Sequence, residues 1–130
     1  MTKAATSVFW FGLYLVALGV TLVVVPNVPL SLFGMPQPDE PWIRVAGMLA
    51  LLLGYYYVQC ARAELRPFFE LTVPARGAVI VFFATFVAFG FAKPTLLLFG
   101  LVDVAGAIWT TLALRAEPPA VSLRGAPPTR

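Results

Sequence analysis

The chain has 130 residues, 60% hydrophobic and only 12% charged, with a formal net charge of +3, no histidine and one cysteine. Soluble domains are usually about 25% charged, so this composition argues against a water-soluble globule and for a membrane protein. The absent histidine excludes His-ligated haem, His-containing triads and the usual zinc sites, and the lone cysteine excludes an intrachain disulfide or a Cys-x-x-Cys redox pair.

A membrane-spanning helix needs about 20 mostly apolar residues. Residues 4–25 supply 22 without a charge. They can also be read as a secretory signal peptide, with Lys3 as its positive start and Ala17-Leu18-Gly19 as a cleavage site. The apolar run continues six residues past Gly19, however, which is long for a signal core. Ala5, Gly12 and Gly19 share one side of this helix, and Gly12 and Gly19 would suit a dimer seam.

Prolines at 26, 29, 36, 38 and 41 forbid a long regular helix in the first connection. Its apolar residues Val28, Leu30, Leu32, Phe33 and Met35 predict a segment that lies along an interface or folds back onto the bundle, as a cap over helix ends or a lid over a pocket. The acidic pair Asp39 and Glu40 falls here, and Trp42 suits the headgroup region.

The second span, 42–61, carries Arg44 and Gln59. Helical spacing places Arg44, Gly47, Tyr55 and Gln59 on one inward face and turns Tyr56 and Tyr57 away from it. Cys60 reads as a free thiol used for packing. Residues 61–75 read as an interfacial loop that fixes topology, with arginines near anionic headgroups and Phe68 and Phe69 as interface anchors. Pro67 is expected to end any extension of the second helix.

The third span has 16 uncharged residues, 77–92, and reaches 19 as 74–92 only by including Arg76. Phe82, Phe86 and Phe89 form a stripe suited to packing or lipid contact. The fourth span, 95–114, is interrupted only by Asp103. Gly100, Asp103, Gly106 and Thr110 share a small, polar face opposite Leu98, Leu101, Ile108 and Leu112. Residues 116–130, with Pro118, Pro119, Pro127 and Pro128, should be a disordered tail. Residues 30–35 echo 96–101, which chance explains in a Leu-rich chain.

Orientation follows from lysine and arginine. With the N-terminus inside, the inner side holds Lys3, Arg62, Arg66, Arg76, Arg115, Arg124 and Arg130, against Arg44 and Lys93 outside. The +3 charge is therefore a topology signal, and nothing in it points to nucleic acid.

Asp103 lies roughly 12 Å into its helix at 1.5 Å per residue. An acid at a helix centre costs about 2.5–3.5 kcal/mol to insert and normally has a partner. Arg44 is the expected partner, in an ion pair or a water-bridged contact that fixes register. In a sharper reading, Arg44, Asp103, Tyr55 and Thr110 line an outward pocket, with Arg44 holding an anionic or carbonyl headgroup. Gly12, Gly19, Gly47, Gly100 and Gly106 are the expected helix-packing positions.

Trp42-Ile43-Arg44-Val45-Ala46-Gly47, Gly54-Tyr55-Tyr56-Tyr57, Phe99-Gly100 and Asp103-Val104-Ala105-Gly106-Ala107-Ile108-Trp109-Thr110 are the most distinctive strings. With Pro26-Asn27 and Leu32-Phe33-Gly34, they resemble a widespread group of uncharacterised small four-span bacterial membrane proteins, loosely DoxX-like in architecture. The resemblance covers most of residues 8–115 and implies a bacterial inner-membrane location. It transfers no catalytic residue.

The expectation is an all-α integral membrane protein. A four-transmembrane-helix bundle spans residues 1–115, with both termini cytoplasmic. The leading functional reading is a non-enzymatic accessory subunit, or a bundle that binds a lipid or small amphiphile, without cofactor or metal. Its expected partners are the lipid bilayer and a homo-oligomer or larger membrane protein. The second reading is a small oligomeric proton-coupled transporter using Asp103. An enzyme comes third, because Asp103 and tyrosines are too few to name a reaction.

Overall fold

The hydroxyl of Thr2 starts the fold by accepting a hydrogen bond from the Ala5 amide at 3.1 Å. That cap supplies one of the acceptors a helix start lacks, and α1 follows as Lys3–Val24. The computed structural model describes residues 1–32, 34 and 41–117. Beyond α1 it contains α2 (Asn27–Leu32), α3 (Trp42–Arg62), α4 (Arg66–Ala88) and α5 (Leu96–Ala116), with no strand among the described residues. Helices α1, α3, α4 and α5 are each long and apolar enough to cross a membrane. The expected tail beyond Glu117, and Phe33, Met35, Pro36, Pro38, Asp39 and Glu40 of the first connection, lie outside the described residues.

Helices α1 and α3 run antiparallel and make the most extensive helix contact of the bundle. A Cβ at Gly12 would stand 2.8 Å from the Tyr57 Cβ, and one at Gly54 would stand 2.8 Å from the Gly12 carbonyl oxygen. Further along, a Cβ at Gly19 would lie 2.5 Å from the Leu51 amide nitrogen, and one at Gly47 would lie 2.9 Å from the Gly19 carbonyl oxygen. Heptad spacing of glycines on both helices thus lets the two backbones touch. The same contact corrects the expected dimer seam: Gly12 and Gly19 are covered by α3 of their own chain.

The link between α3 and α4 is shorter than the sequence reading supposed. Leu65 N donates to Cys60 O and Glu64 N to Ala61 O, the paired bonds of a helix-ending Schellman turn. Glu64 occupies its left-handed position at φ 54, where a glycine is usual. The strain, roughly 1–2 kcal/mol, is offset because the Glu64 carboxylate takes hydrogen bonds from Thr2 N at 2.8 Å and Thr2 Oγ1 at 2.7 Å. The turn therefore ties the start of α1 to the start of α4. A second turn of the same kind, with Gly90 at φ 76, closes α4.

Helix α4 begins at Arg66, so most of the expected interfacial loop is helix. Pro67 falls in the first turn, where its missing N–H is no loss. Phe69, Thr72, Arg76, Val79 and Phe83 recur every three or four residues and form one continuous face. Pro74 sits inside the helix but off that face, so packing carries the helix past the one hydrogen bond it removes. Phe69 is consequently a core residue, 1% exposed, and Phe68 packs its ring edge-on to Tyr57 at 5.2 Å. Phe69 therefore does not stand at a surface as the anchor reading required, Phe68 is half-buried, and Trp42, at the start of α3, is exposed.

The end of the bundle that carries the described N-terminus is held by polar contacts. Glu117 accepts from Ala4 N at 2.9 Å and pairs with Arg66 at 3.1 Å, which in turn pairs with Glu70 at 3.1 Å. At the opposite end, α2 folds back with Pro29 and Leu30 buried, and Lys93 Nζ donates to the Gly34 carbonyl at 3.3 Å.

Candidate functional site

The largest fully buried side chain is that of Arg76, 2% exposed, about 15 Å along α4 from Arg66 at 1.5 Å per residue. An isolated buried cation is unstable unless hydrogen bonds and opposite charge replace its water. Its Nη2 donates to Thr110 Oγ1 at 2.7 Å and to Thr72 Oγ1 at 3.2 Å, and its Nε donates to Thr72 O at 3.4 Å. The guanidinium carbon lies 4.7 Å from the ring centre of Phe11 and 5.9 Å from that of Tyr57, within cation–π range.

Hydroxyl protons give this network a direction. Ser7 donates to Ala4 O at 2.7 Å, so its single proton is used, and the 2.8 Å contact between Ser7 and Thr110 must be a donation by Thr110. A chain of hydrogen bonds therefore runs from Arg76 through Thr110 and Ser7 to the backbone of the first turn of α1. Gly106 makes room for it: a Cβ there would lie 3.0 Å from both Arg76 Nη1 and Phe11 Cδ2. Nη1 itself is buried and has no hydrogen-bond partner among the described residues.

Asp103 stands one turn from Gly106 on α5 and interacts electrostatically with Arg76, Tyr14 and Tyr57. It forms no ion pair within 4.0 Å with any described residue. The expected Arg44–Asp103 pair is corrected here. Arg44 is exposed, and its Nη1 donates to the Val23 carbonyl, one of the unsatisfied carbonyls at the end of α1. The close α1–α3 contact places that carbonyl nearer to Arg44 than any group on α5.

The other expected site residues divide. Thr110 is 0% exposed and central to the network, whereas Tyr55 is 55% exposed and stacks edge-on with Tyr56, so the tyrosine that points inward is Tyr57. Gly100 admits the side chain of Ile80, whose Cδ1 would stand 2.5 Å from an added Cβ. The sequence pattern does not mark Ser7, Phe11, Thr72 or Arg76 as site residues. The signal for Arg76 was the third span itself, which reaches membrane length only with Arg76 inside it.

Beyond Asp103, toward α2, lies a cavity of about 340 Å³ bounded by all five helices. Leu18, Leu30, Ile43 and Phe83 supply apolar wall from α1 to α4, and among the described residues Tyr14 and Asp103 are its polar lining. It occupies a gap where α3 makes no extensive contact with α4 or α5. Arg76 does not line it. Among the described residues no group of three His, Cys, Asp or Glu side chains could hold a metal ion.

No protein-family model, curated protein or solved structure matches the chain.

Proposed function

We propose that the chain is a multi-pass membrane protein, with both termini cytoplasmic, that binds a small amphiphile in the cavity above Asp103 without performing chemistry on it. The observation that carries this reading is an apolar cavity lined by all five helices and furnished, among its described lining residues, with one carboxylate and one phenol. Its volume falls at the small end of ligand pockets, roughly 300–1,000 Å³. The buried Leu30 on α2 forms part of its wall, which supports the lid reading of the first connection.

Four helices of spanning length support insertion. With Arg76 withdrawn into the core, Lys3, Arg62, Arg66, Arg115, Arg124 and Arg130 remain on the proposed cytoplasmic side, against Arg44 and Lys93 on the other. That bias supports the orientation. Location in a bacterial inner membrane and DoxX-like membership rest on the sequence strings alone. An accessory role in a larger membrane complex is compatible with the same cavity.

Native mass spectrometry of the protein released from lipid nanodiscs tests the binding reading. Wild type should retain a small amphiphile, and Leu18→Trp, which fills the cavity, should lose it; equal retention by both would place the bound molecule elsewhere. The alternative, a proton-coupled transporter, draws support from a carboxylate partly exposed in a helix of spanning length. It requires proton flux in vesicles that Asp103→Asn abolishes.

A further inference from the structure

We infer that the amphiphile's head is a hydrogen-bond donor, a hydroxyl or an ammonium, and not a carboxylate or phosphate. This rests on the proposal that the cavity binds an amphiphile and reverses the headgroup expected from the sequence.

Asp103 is the only charged side chain among the described residues that line the cavity. Its carboxylate takes no hydrogen bond from a described residue, although a carboxylate offers about four acceptor positions. Three cations could have held an anionic head, and each is engaged away from the lining. Arg76 does not line the cavity and packs over the rings of Phe11 and Tyr57, with Nε and Nη2 committed to Thr72 and Thr110. Arg44 is spent on Val23 O and Lys93 on Gly34 O.

An anionic head would thus meet the Asp103 carboxylate in a poorly screened setting, with no cation among the described lining residues to balance it and the Tyr14 phenol as the one side-chain donor beside it. A donor head would fill the vacant acceptor positions. A neutral hydroxyl adds no charge beside Asp103, while an ammonium adds a direct ion pair; both share the donor chemistry.

The test compares three probes of one chain length, decanol, decylamine and decanoate, added to the full chain in nanodiscs at pH 7 and read by native mass spectrometry and by the shift in unfolding temperature. Decanol or decylamine should bind at least ten-fold more tightly than decanoate. Asp103→Asn should weaken decylamine at least ten-fold without weakening decanoate. Preference for decylamine would identify an ammonium ligand, and preference for decanol a hydroxyl one. Decanoate binding as well as the others in wild type would overturn the donor assignment while leaving the amphiphile site standing. Unchanged decylamine binding in Asp103→Asn would do the same. If no probe binds wild type and Leu18→Trp behaves identically, the amphiphile reading fails and takes this inference with it.

Discussion

Between Gly12 and Gly19, α1 meets α3 through bare backbone, and the hydrogen bond from Arg44 to Val23 lies only at the end of the seam. Where α1 meets α4 and α5, the space is filled instead by Arg76, Thr72, Thr110, Ser7 and the ring of Phe11. The first contact depends on shape and tolerates no added volume. The second depends on donors and acceptors meeting at set positions and tolerates changes that preserve them. Within lipid, apolar surface alone does not press helices together, so a bundle needs close packing, polar contacts or both. This chain assigns one device to each side of α1.

The comparison breaks most readily at the seam. Gly19→Leu places a side chain where even a Cβ would sit 2.5 Å from backbone of α3, and a flexible neighbour cannot yield there. It should cost about 3 kcal/mol or more in detergent unfolding, at the upper end of overpacking effects, and separate α1 from α3. Arg76→Met keeps the volume but removes the hydrogen bonds of the guanidinium to Thr72 and Thr110. Hydrogen bonds from a charged donor contribute about 1.5–3 kcal/mol, so a loss of about 2 kcal/mol is expected from the same assay. Thr110→Val removes the acceptor of Arg76 and the donor to Ser7. Polar contacts between membrane helices are typically worth about 0.6 kcal/mol, rarely above about 1.7, so a loss near 1 kcal/mol should appear in equilibrium unfolding. Arg44→Gln removes only an exposed cap on the end of α1 and should shift stability by no more than about 0.5 kcal/mol.

The four long helices were legible because length and apolarity are local properties, and a run of 20 greasy residues has few alternatives. The glycine seam was half legible. Seven-residue spacing marks Gly12 and Gly19, and the Arg44 face marks Gly47, but periodicity does not say which helix covers them, and a second copy fits as well as α3. The polar junction was read with the wrong arginine. Arg44 and Asp103 stand out because both fall inside apolar runs, whereas Arg76 sits beside Pro74, which reads as a helix start. Only the inward face of Phe69, Thr72, Arg76, Val79 and Phe83 carries the helix back to Arg66, and tertiary packing is what sustains that face. The tyrosines failed for a related reason. One turn of α3 holds three in a row, and the face that matters was set by the glycines opposite α1, which bring Tyr57 inward, and not by Arg44.

A double-mutant cycle between Arg76 and Asp103, run in parallel with one between Arg44 and Asp103, tests the polar junction most directly. With Arg76→Met and Asp103→Asn, the double variant should be more stable than the sum of the single losses by about 1 kcal/mol, in the range found for coupled neighbours. The Arg44→Met cycle should be additive within about 0.3–0.5 kcal/mol. Additivity in the first cycle and coupling in the second would restore the Arg44–Asp103 pair and contradict the site described above.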